Sequence, residues 1–313
     1  MAITEFYFTA EAMKIYYSMG LEQGRGMALM DVDLGELRQW IGRTETLEDL
    51  ATATPLQALS ATLDRNDPVP QPGDPVPPCW HWLYFLPLHR RSELGPDGHS
   101  KRGGFLPPVP LSQRMWAGSR LEFLRNLRVG QAITRTSRIV EITGKAGRSG
   151  PLVFVRVRHE LKDAAGVAVI DEHDIVYRGD PGPGVAVAPT RPAPLEQDWI
   201  RKICPDEVLL FHYSALTFNG HRIHYDRRYA TEVAGYPGLV VHGPLIATLL
   251  LDLLRCQLPG ATVSRFAFRA VKPTFDLEPF HLCGRRPDEG RTAQLWARRA
   301  DGALAVEATA VLA

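Results

Sequence analysis

Residues 243–257, GPLIATLLLDLLRCQ, limit the fold more than any other stretch of this chain. Leu245, Ile246, Ala247, Leu249, Leu250, Leu251, Leu253 and Leu254 cover most faces of the helix that the segment predicts, leaving Thr248, Asp252 and Arg255 as a narrow polar stripe. A helix apolar nearly all round has to be enclosed. Lipid is excluded as the enclosure, because the apolar run from Pro244 to Leu251 has only 8 residues, against roughly 20 for a bilayer span. The rest of the chain must therefore wrap it. Gly243 reads as the cap and Pro244 as the first helical residue.

Alternating segments supply the wrapping. Leu152–Leu161 turns at 163–166 (DAAG) and returns as Val167–Tyr177; Ala293–Ala300 turns at Asp301-Gly302 and returns as Ala303–Leu312. Before each hairpin stands a related segment, Ser119–Arg125 (SRLEFLR) and Ser264–Ala270 (SRFAFRA), at an offset of 145 residues. A second helix is predicted where Thr54-Pro55 opens PLQALSATLDR, again a cap followed by proline. The two prolines, Pro55 and Pro244, lie 189 apart, so the repeat is one unit plus an insertion between Asn66 and Gly118. One helix per unit wrapped by antiparallel sheet is an α+β, tandem (double) hot-dog fold.

Length agrees, since 313 residues exceed the roughly 250–300 at which one core stops growing. The Pro/Gly-rich stretch Gly179–Pro194 marks the boundary. It divides the chain into an N-terminal extension 1–30, a first hot-dog 31–178, a linker 179–195 and a second hot-dog 196–313. With 36 Lys+Arg against 35 Asp+Glu, no basic field points to nucleic acid or a membrane surface. Cys79, Cys204, Cys256 and Cys283 are widely spaced without a C-x-x-C pair, and the N-terminus carries Glu5 and Glu11 where a signal peptide would be apolar. A soluble cytoplasmic protein is the expectation.

His212, His221, His224 and His242 fall within 31 residues, although the chain has only 10 histidines. Such clustering of the side chain that titrates near neutrality points to acid–base chemistry. A spacing of three between His221 and His224, with no Cys or Glu partner pattern, argues against zinc, so no metal is expected. Gly243 opens the buried helix, where unpaired N–H groups favour developing negative charge. Its N–H would serve as an oxyanion-hole donor to a thioester carbonyl turning into an enolate.

The run 215–226 (ALTFNGHRIHYD), followed by His242-Gly243, resembles the hydratase motif of the MaoC-like (R)-specific enoyl-thioester hydratases and dehydratases. Its wording is similar to the branch of mesaconyl-C4-CoA hydratase, itaconyl-CoA hydratase and hydroxyacyl-thioester dehydratase type 2. The segments 40–43 (WIGR), 61–65 (ATLDR), 81–85 (HWLYF) and 103–110 (GGFLPPVP) resemble that branch's N-terminal domain. Residues 1–26 match nothing in it, and Met27 or Met30 would serve as an alternative start.

The resemblance implies a carbon–oxygen lyase: an enoyl-CoA hydratase or 3-hydroxyacyl-thioester dehydratase acting without a cofactor, CoA being part of the substrate. The family histidine falls on His224 and the His-Gly step on His242-Gly243, whereas the family's acidic residue falls on Asn219, which cannot act as a base. Either Asn219 only orients water while His224 performs both proton transfers, or a nearby acid such as Asp226 assists; Asp226 can equally cap the helix beginning near Arg227. The branch suggests a short branched dicarboxylic acyl-CoA such as mesaconyl-C4-CoA or itaconyl-CoA, giving citramalyl-CoA. A free carboxylate calls for an arginine, and Arg222, Arg102 and Arg114 are candidates. His221, His242 and Phe105 complete the expected substrate contacts, with Arg265, Arg269 and Lys272 as candidates for the CoA phosphates. The first unit has no His-Gly step and is expected to shape the acyl pocket without chemistry of its own. Alternatives are an (R)-3-hydroxyacyl-ACP/CoA dehydratase of fatty acid metabolism, a hot-dog thioesterase, for which Asp252 lies too deep along the helix, and an inactive acyl-CoA-binding protein. Double hot-dog chains often pair again through their sheets, so a homodimer is also expected.

Overall fold

The computed structural model describes residues 32–147, 150–179, 190–287, 289 and 291–313. The N-terminal extension and most of the linker lie outside these residues. Among them, the strands form one ten-stranded antiparallel sheet in the order β1-β3-β4-β5-β2-β7-β10-β9-β8-β6. The first five are β1 (Thr44–Leu50), β2 (Gln113–Phe123), β3 (Ala132–Gly147), β4 (Gly150–Asp163) and β5 (Gly166–Arg178). The second five are β6 (Trp199–Ile203), β7 (Val263–Ala270), β8 (Phe280–Gly284), β9 (Thr292–Arg299) and β10 (Leu304–Leu312). Each half contributes five neighbouring strands, and the order mirrors about the β2–β7 seam.

That seam is the repeat found in the sequence. Leu121 and Phe266, which correspond at the offset of 145, are direct cross-strand partners; Arg120 pairs with Ala267 and Glu122 with Arg265. Equivalent residues pairing with one another in this way is what a local two-fold axis through the Leu121–Phe266 pair produces. The predicted hairpins form, with Asp163 opposite Gly166 and Leu304 opposite Arg298.

The helices are α1 (Leu34–Arg38), α2 (Ala53–Thr62), α3 (Glu207–Leu216) and α4 (Gly243–Gln257). All residues of α4 from Leu245 to Leu254 are buried, and the helix packs on β10, β8, β9, β6 and β2. Each buried leucine contributes roughly 1.5–3 kcal/mol. Both predicted caps move N-terminally. His242 is the cap of α4 and Gly243 its first residue. Thr52 caps α2, which makes Pro55 the third helical residue rather than the first; proline is tolerated there because the first-turn N–H groups have no partner in any case.

The two helices are not equivalent in packing. α2 buries only Leu56, Leu59 and Ser60 and lies against α3 and the 3-10 turn Trp80–Leu83. That turn, inside the predicted insertion, covers the inward face of the first half's sheet. No helix among the described residues is long and apolar enough to cross a membrane.

Candidate active site

The motif begins at the end of α3, an element the sequence reading missed although Asp206 caps it, accepting from Leu209 N–H at 2.8 Å, and Leu210, Tyr213 and Ser214 form its buried stripe. α3 stops in a double-bonded cap: Phe218 N–H donates to Ala215 O and Asn219 N–H to Ser214 O. Such a cap needs a left-handed residue. Here it is Phe218 (φ 49) in place of glycine, and the turn it forces brings Asn219 to the wall of a cavity of about 350 Å³.

His224 is buried in the 3-10 turn Arg222–His224. Its Nδ1 lies 2.7 Å from Val240 O. A carbonyl can only accept, so the proton sits on Nδ1 and Nε2 carries a free lone pair. Burial, opposed by the Val240 hydrogen bond, pushes the His224 pKa down to about 4; the ring is neutral at neutral pH and keeps the Nε2 lone pair open. The His242 ring stacks on it at 3.7 Å and 20°, and His242 Nε2 pairs with Ser214 Oγ at 2.8 Å. Burial, with His224 and His221 nearby, holds His242 well below its usual value. His242 thus lies beneath His224 as a neutral support and cap. In front of Gly243 there is room: a Cβ would meet only Trp116 O at 4.0 Å. Pro244 and Trp116 line the same cavity as Asn219.

Asn219 Oδ1 accepts from His221 N–H at 3.0 Å, leaving its amide NH2 as the free group. The His221 ring lies 5.3 Å from His224 and 4.0 Å from His99. His99 comes from the first half, on a tight hairpin whose Asp97 accepts from it at 3.1 Å. Gly98 (φ +87) packs directly on Gly220, where a Cβ would overlap the Gly220 carbonyl. Asp97, His99 and His221 place potential ligand atoms within 4.8 Å of one another; the Asp97–His99 spacing is that of a hydrogen bond.

Several expected roles are reassigned by the contacts. Arg222 donates to Asp226 Oδ2 at 2.8–2.9 Å and to Pro96 O at 2.9 Å, and lies over Tyr229. Its guanidinium ties the motif to the first half and is not available as a carboxylate fork. Asp226 is occupied by Arg222 and by Tyr229 N–H at 3.0 Å, so it caps the following turn and does not reach the cavity. Arg102 is spent on Val109 O and Ser112 O. Phe105 packs in a separate apolar cluster with Val109, Leu111 and Val157. Arg269 pairs with Glu307, Lys272 donates to Thr190 Oγ1 at 2.8 Å, and Arg265 is exposed on β7; none of the three lines the cavity. Asp252, the acid considered for a thioesterase, is bound by Arg65 and Arg201 and is not among the residues lining the cavity.

Arg114 does line the cavity. So does a polar group that sequence reasoning did not find. Asp171 Oδ2 receives Trp82 Nε1 at 2.8 Å, His173 Nε2 at 2.8 Å and His81 Nε2 at 3.3 Å, while Oδ1 is buried without a partner. Burial would raise the Asp171 pKa, yet the His173 and His81 contacts hold it well below the usual range. His159 and Arg135 complete this wall. The Arg135 Nε is buried without a partner.

A family model for hydroxyacyl-thioester dehydratase type 2 matches residues 79–276. A mesaconyl-C4-CoA hydratase of Chloroflexus aurantiacus is 47% identical over 273 residues, 87% of this chain and 96% of the relative. Among solved structures, a MaoC-like dehydratase superposes with a TM-score of 0.67 at 15% identity, covering 88% of this chain and 99% of its own. A Mycobacterium tuberculosis protein described as a double hot-dog does so at 0.54 and 14%, covering 87% and 96%. With the family model covering 79–276, which includes parts of both halves and the whole motif, and with a relative 47% identical over most of the chain, the chain belongs to the hydroxyacyl-thioester dehydratase type 2 family.

Proposed function

We propose that this protein adds water across the double bond of an enoyl thioester and that its substrate is a short branched dicarboxylic acyl-CoA of the mesaconyl-C4-CoA type, giving citramalyl-CoA. The observation that carries the reading is one cavity shared by Asn219, the start of α4 and Arg114. Water held at Asn219 attacks the β-carbon while His224 Nε2 takes its proton. The π electrons move toward the thioester, and the oxygen that becomes negative is held by Gly243 N–H at the positive end of α4. Protonation of the α-carbon completes the addition. Arg114 supplies the cation that a substrate carboxylate needs. The strong identity with a hydratase named for such a substrate supports this choice.

A spectrophotometric assay of the purified protein with mesaconyl-C4-CoA, itaconyl-CoA and crotonyl-CoA tests it. Water addition is expected, fastest with a dicarboxylic thioester; release of free CoA, or binding without turnover, overturns the reading. His224→Ala is expected to lower kcat by about 10²–10⁴-fold, the usual worth of a positioned base. Because the working form of His224 is neutral, activity is expected to hold through neutral pH and to be lost as pH falls toward about 4.

A further inference from the structure

Asp97, His99 and His221 take no part in the proton and oxyanion steps described above, yet several independent contacts bring them together. Asp97 and His99 flank Gly98 on a hairpin of the first half, closed by Gly95 N–H to His99 O at 2.7 Å and by the Leu94–Ser100 bridge. His221 follows Gly220 on the turn of the motif. The two glycines meet. Residue 98 has φ +87 and a Cβ there would overlap the Gly220 carbonyl, while a Cβ on residue 220 would press on the Gly98 carbonyl. Glycine at both positions lets the two backbones approach this closely. Arg222 then ties them, donating from its backbone N–H to Asp97 O and from Nη1 to Pro96 O, each at 2.9 Å. The hairpin and the turn are held in place by backbone contacts that need no ligand.

The side chains carried by these two turns make a small cluster of donors. Asp97 Oδ2 lies 3.1 Å from His99 Nδ1, and one ligand atom from each of Asp97, His99 and His221 lies within 4.8 Å of the other two. The rings of His99 and His221 are 4.0 Å apart at a tilt of 41°, neither stacked flat nor hydrogen-bonded to each other. Among the described residues the ring nitrogens of His221 have no hydrogen-bond partner; its side chain touches the rings of His99 and His224. A half-buried imidazole is ordinarily hydrogen-bonded. A cation shared with Asp97 and His99 would satisfy the His221 lone pair instead.

We propose that Asp97, His99 and His221 form a binding site for a divalent transition-metal ion of the zinc type, which clips the hairpin of the first half to the motif of the second. Two imidazoles and one carboxylate suit zinc, cobalt(II) or nickel(II); magnesium and calcium take oxygen donors. Two ligand atoms of one tetrahedral zinc stand about 3.3 Å apart, close to the Asp97–His99 spacing, and rotation of the His221 side chain closes the remaining gap. The ion takes the place of the proton between Asp97 and His99, whose ring keeps its proton on the other nitrogen and so binds as a neutral imidazole. Three protein ligands leave the remaining positions to water, and the side chains of Asp97 and His99 are exposed enough to let the ion in. His224 is no ligand, because its Nδ1 donates to Val240 O. The spacing of three between His221 and His224 spoke against zinc, but the partners of His221 come from the first half. Water addition does not pass through the ion, and the site stands apart from the hydratase reading.

Equilibrium dialysis of the tag-free full chain against zinc chloride, followed by metal analysis, is expected to find one tightly held ion per chain. Zinc is expected to raise the melting temperature in a concentration-dependent way, as a ligand of the folded state does. Cobalt(II) is expected to give visible ligand-field bands that zinc removes and magnesium does not. Asp97→Asn, His99→Gln and His221→Gln are each expected to weaken zinc binding about tenfold or more and to remove the cobalt bands. Asp97→Glu, which keeps the carboxylate, is expected to retain binding that Asp97→Asn loses. His212→Gln, at an exposed histidine of α3 outside the cluster, is expected to change nothing. Melting curves in metal-free buffer identify any variant that fails to fold, and the wild-type cobalt spectrum decides without it. No zinc retained by the wild-type chain, or zinc held equally by the folded His99→Gln and His221→Gln variants, overturns the proposal. A cobalt–thiolate charge-transfer band would place the ion on the exposed Cys204 or Cys256 and overturn it as well.

Discussion

Under α4, the inward row of the second half reads Ala310 and Ala293, both fully buried. At the equivalent positions of the first half it reads Asp171 and His159, buried and continued by Ser137. The equivalence follows from the seam, since Leu121 pairs with Asp171 as Phe266 pairs with Ala310. Small side chains let a helix lie close on a sheet, and α4 fills that space. In the first half α2 is displaced toward α3, the 3-10 turn Trp80–Leu83 takes over the cover, and the row that faces it is polar. A duplicated scaffold has thus been used once as a packed core and once as the wall of a chamber. The packed copy presents the start of a rigid helix to the cavity; the open copy lines the cavity with Arg114, His159, Asp171 and His173 and sends Asp97 and His99 back toward the packed copy's motif.

The largest test of this contrast removes the polar centre of the open half. Asp171→Ala leaves His81, His173 and Trp82 without their shared acceptor, and truncating one member of a buried charged cluster costs about 3–5 kcal/mol. Denaturant unfolding should show that loss, and Asp171→Asn should recover part of it by keeping an acceptor. A loss below about 1 kcal/mol would mean that Asp171 is not needed to hold the wall together.

The opposite change belongs in the packed half. Ala293→Val pushes two methyl groups toward α4 in a space without slack, where overpacking costs about 1–3 kcal/mol. Its counterpart His159 already carries a full imidazole ring, paired with Ser137 Oγ at 2.8 Å. If Ala293→Val were neutral, the two faces would be equally roomy and the contrast would fail.

The sequence made the scaffold readable because its signals are local and periodic. The hairpin turns and the all-round apolar helix each lie within one segment, the repeat at 145 residues compares two short ones, and the hydratase-like motif is contiguous from Ser214 to Gly243. The chamber was not readable for a definite reason. Ser137, His159, Asp171 and His173 become one polar face only through strand register, which no single strand displays. Asp97 and His99 sit in an insertion more than a hundred residues before the motif they touch. Arg222 was read as a substrate contact because it lies inside the motif, and only the first half's Pro96 carbonyl shows where it is spent. The cap of α4 moved by one residue because glycine and histidine are both compatible with that position and the backbone, with His242 O bonded to Ile246 N–H, decides.

The finest test separates the two cations of the chamber. Arg114 and Arg135 both line it, but the row containing Arg135 crosses β2 at Phe123, nine residues from Arg114. At about 3.3 Å per residue the two ends of that strand are far apart. The carboxylate of a mesaconyl-type chain is attached to the very carbon that water attacks, so it must be met near Asn219 and the start of α4. Arg114 is the cation at that end. A hydrogen bond to a charged group is worth about 1.5–3 kcal/mol, and each 1.4 kcal/mol is tenfold. Arg114→Met is therefore expected to cut the ratio of kcat/KM for mesaconyl-C4-CoA over crotonyl-CoA by about ten- to a hundredfold, with crotonyl-CoA hydration nearly unchanged. Arg135→Met should leave that ratio alone, since a short chain does not reach it. If the two variants exchange these results, the acyl chain runs to the far wall and the substrate is longer than a mesaconyl group.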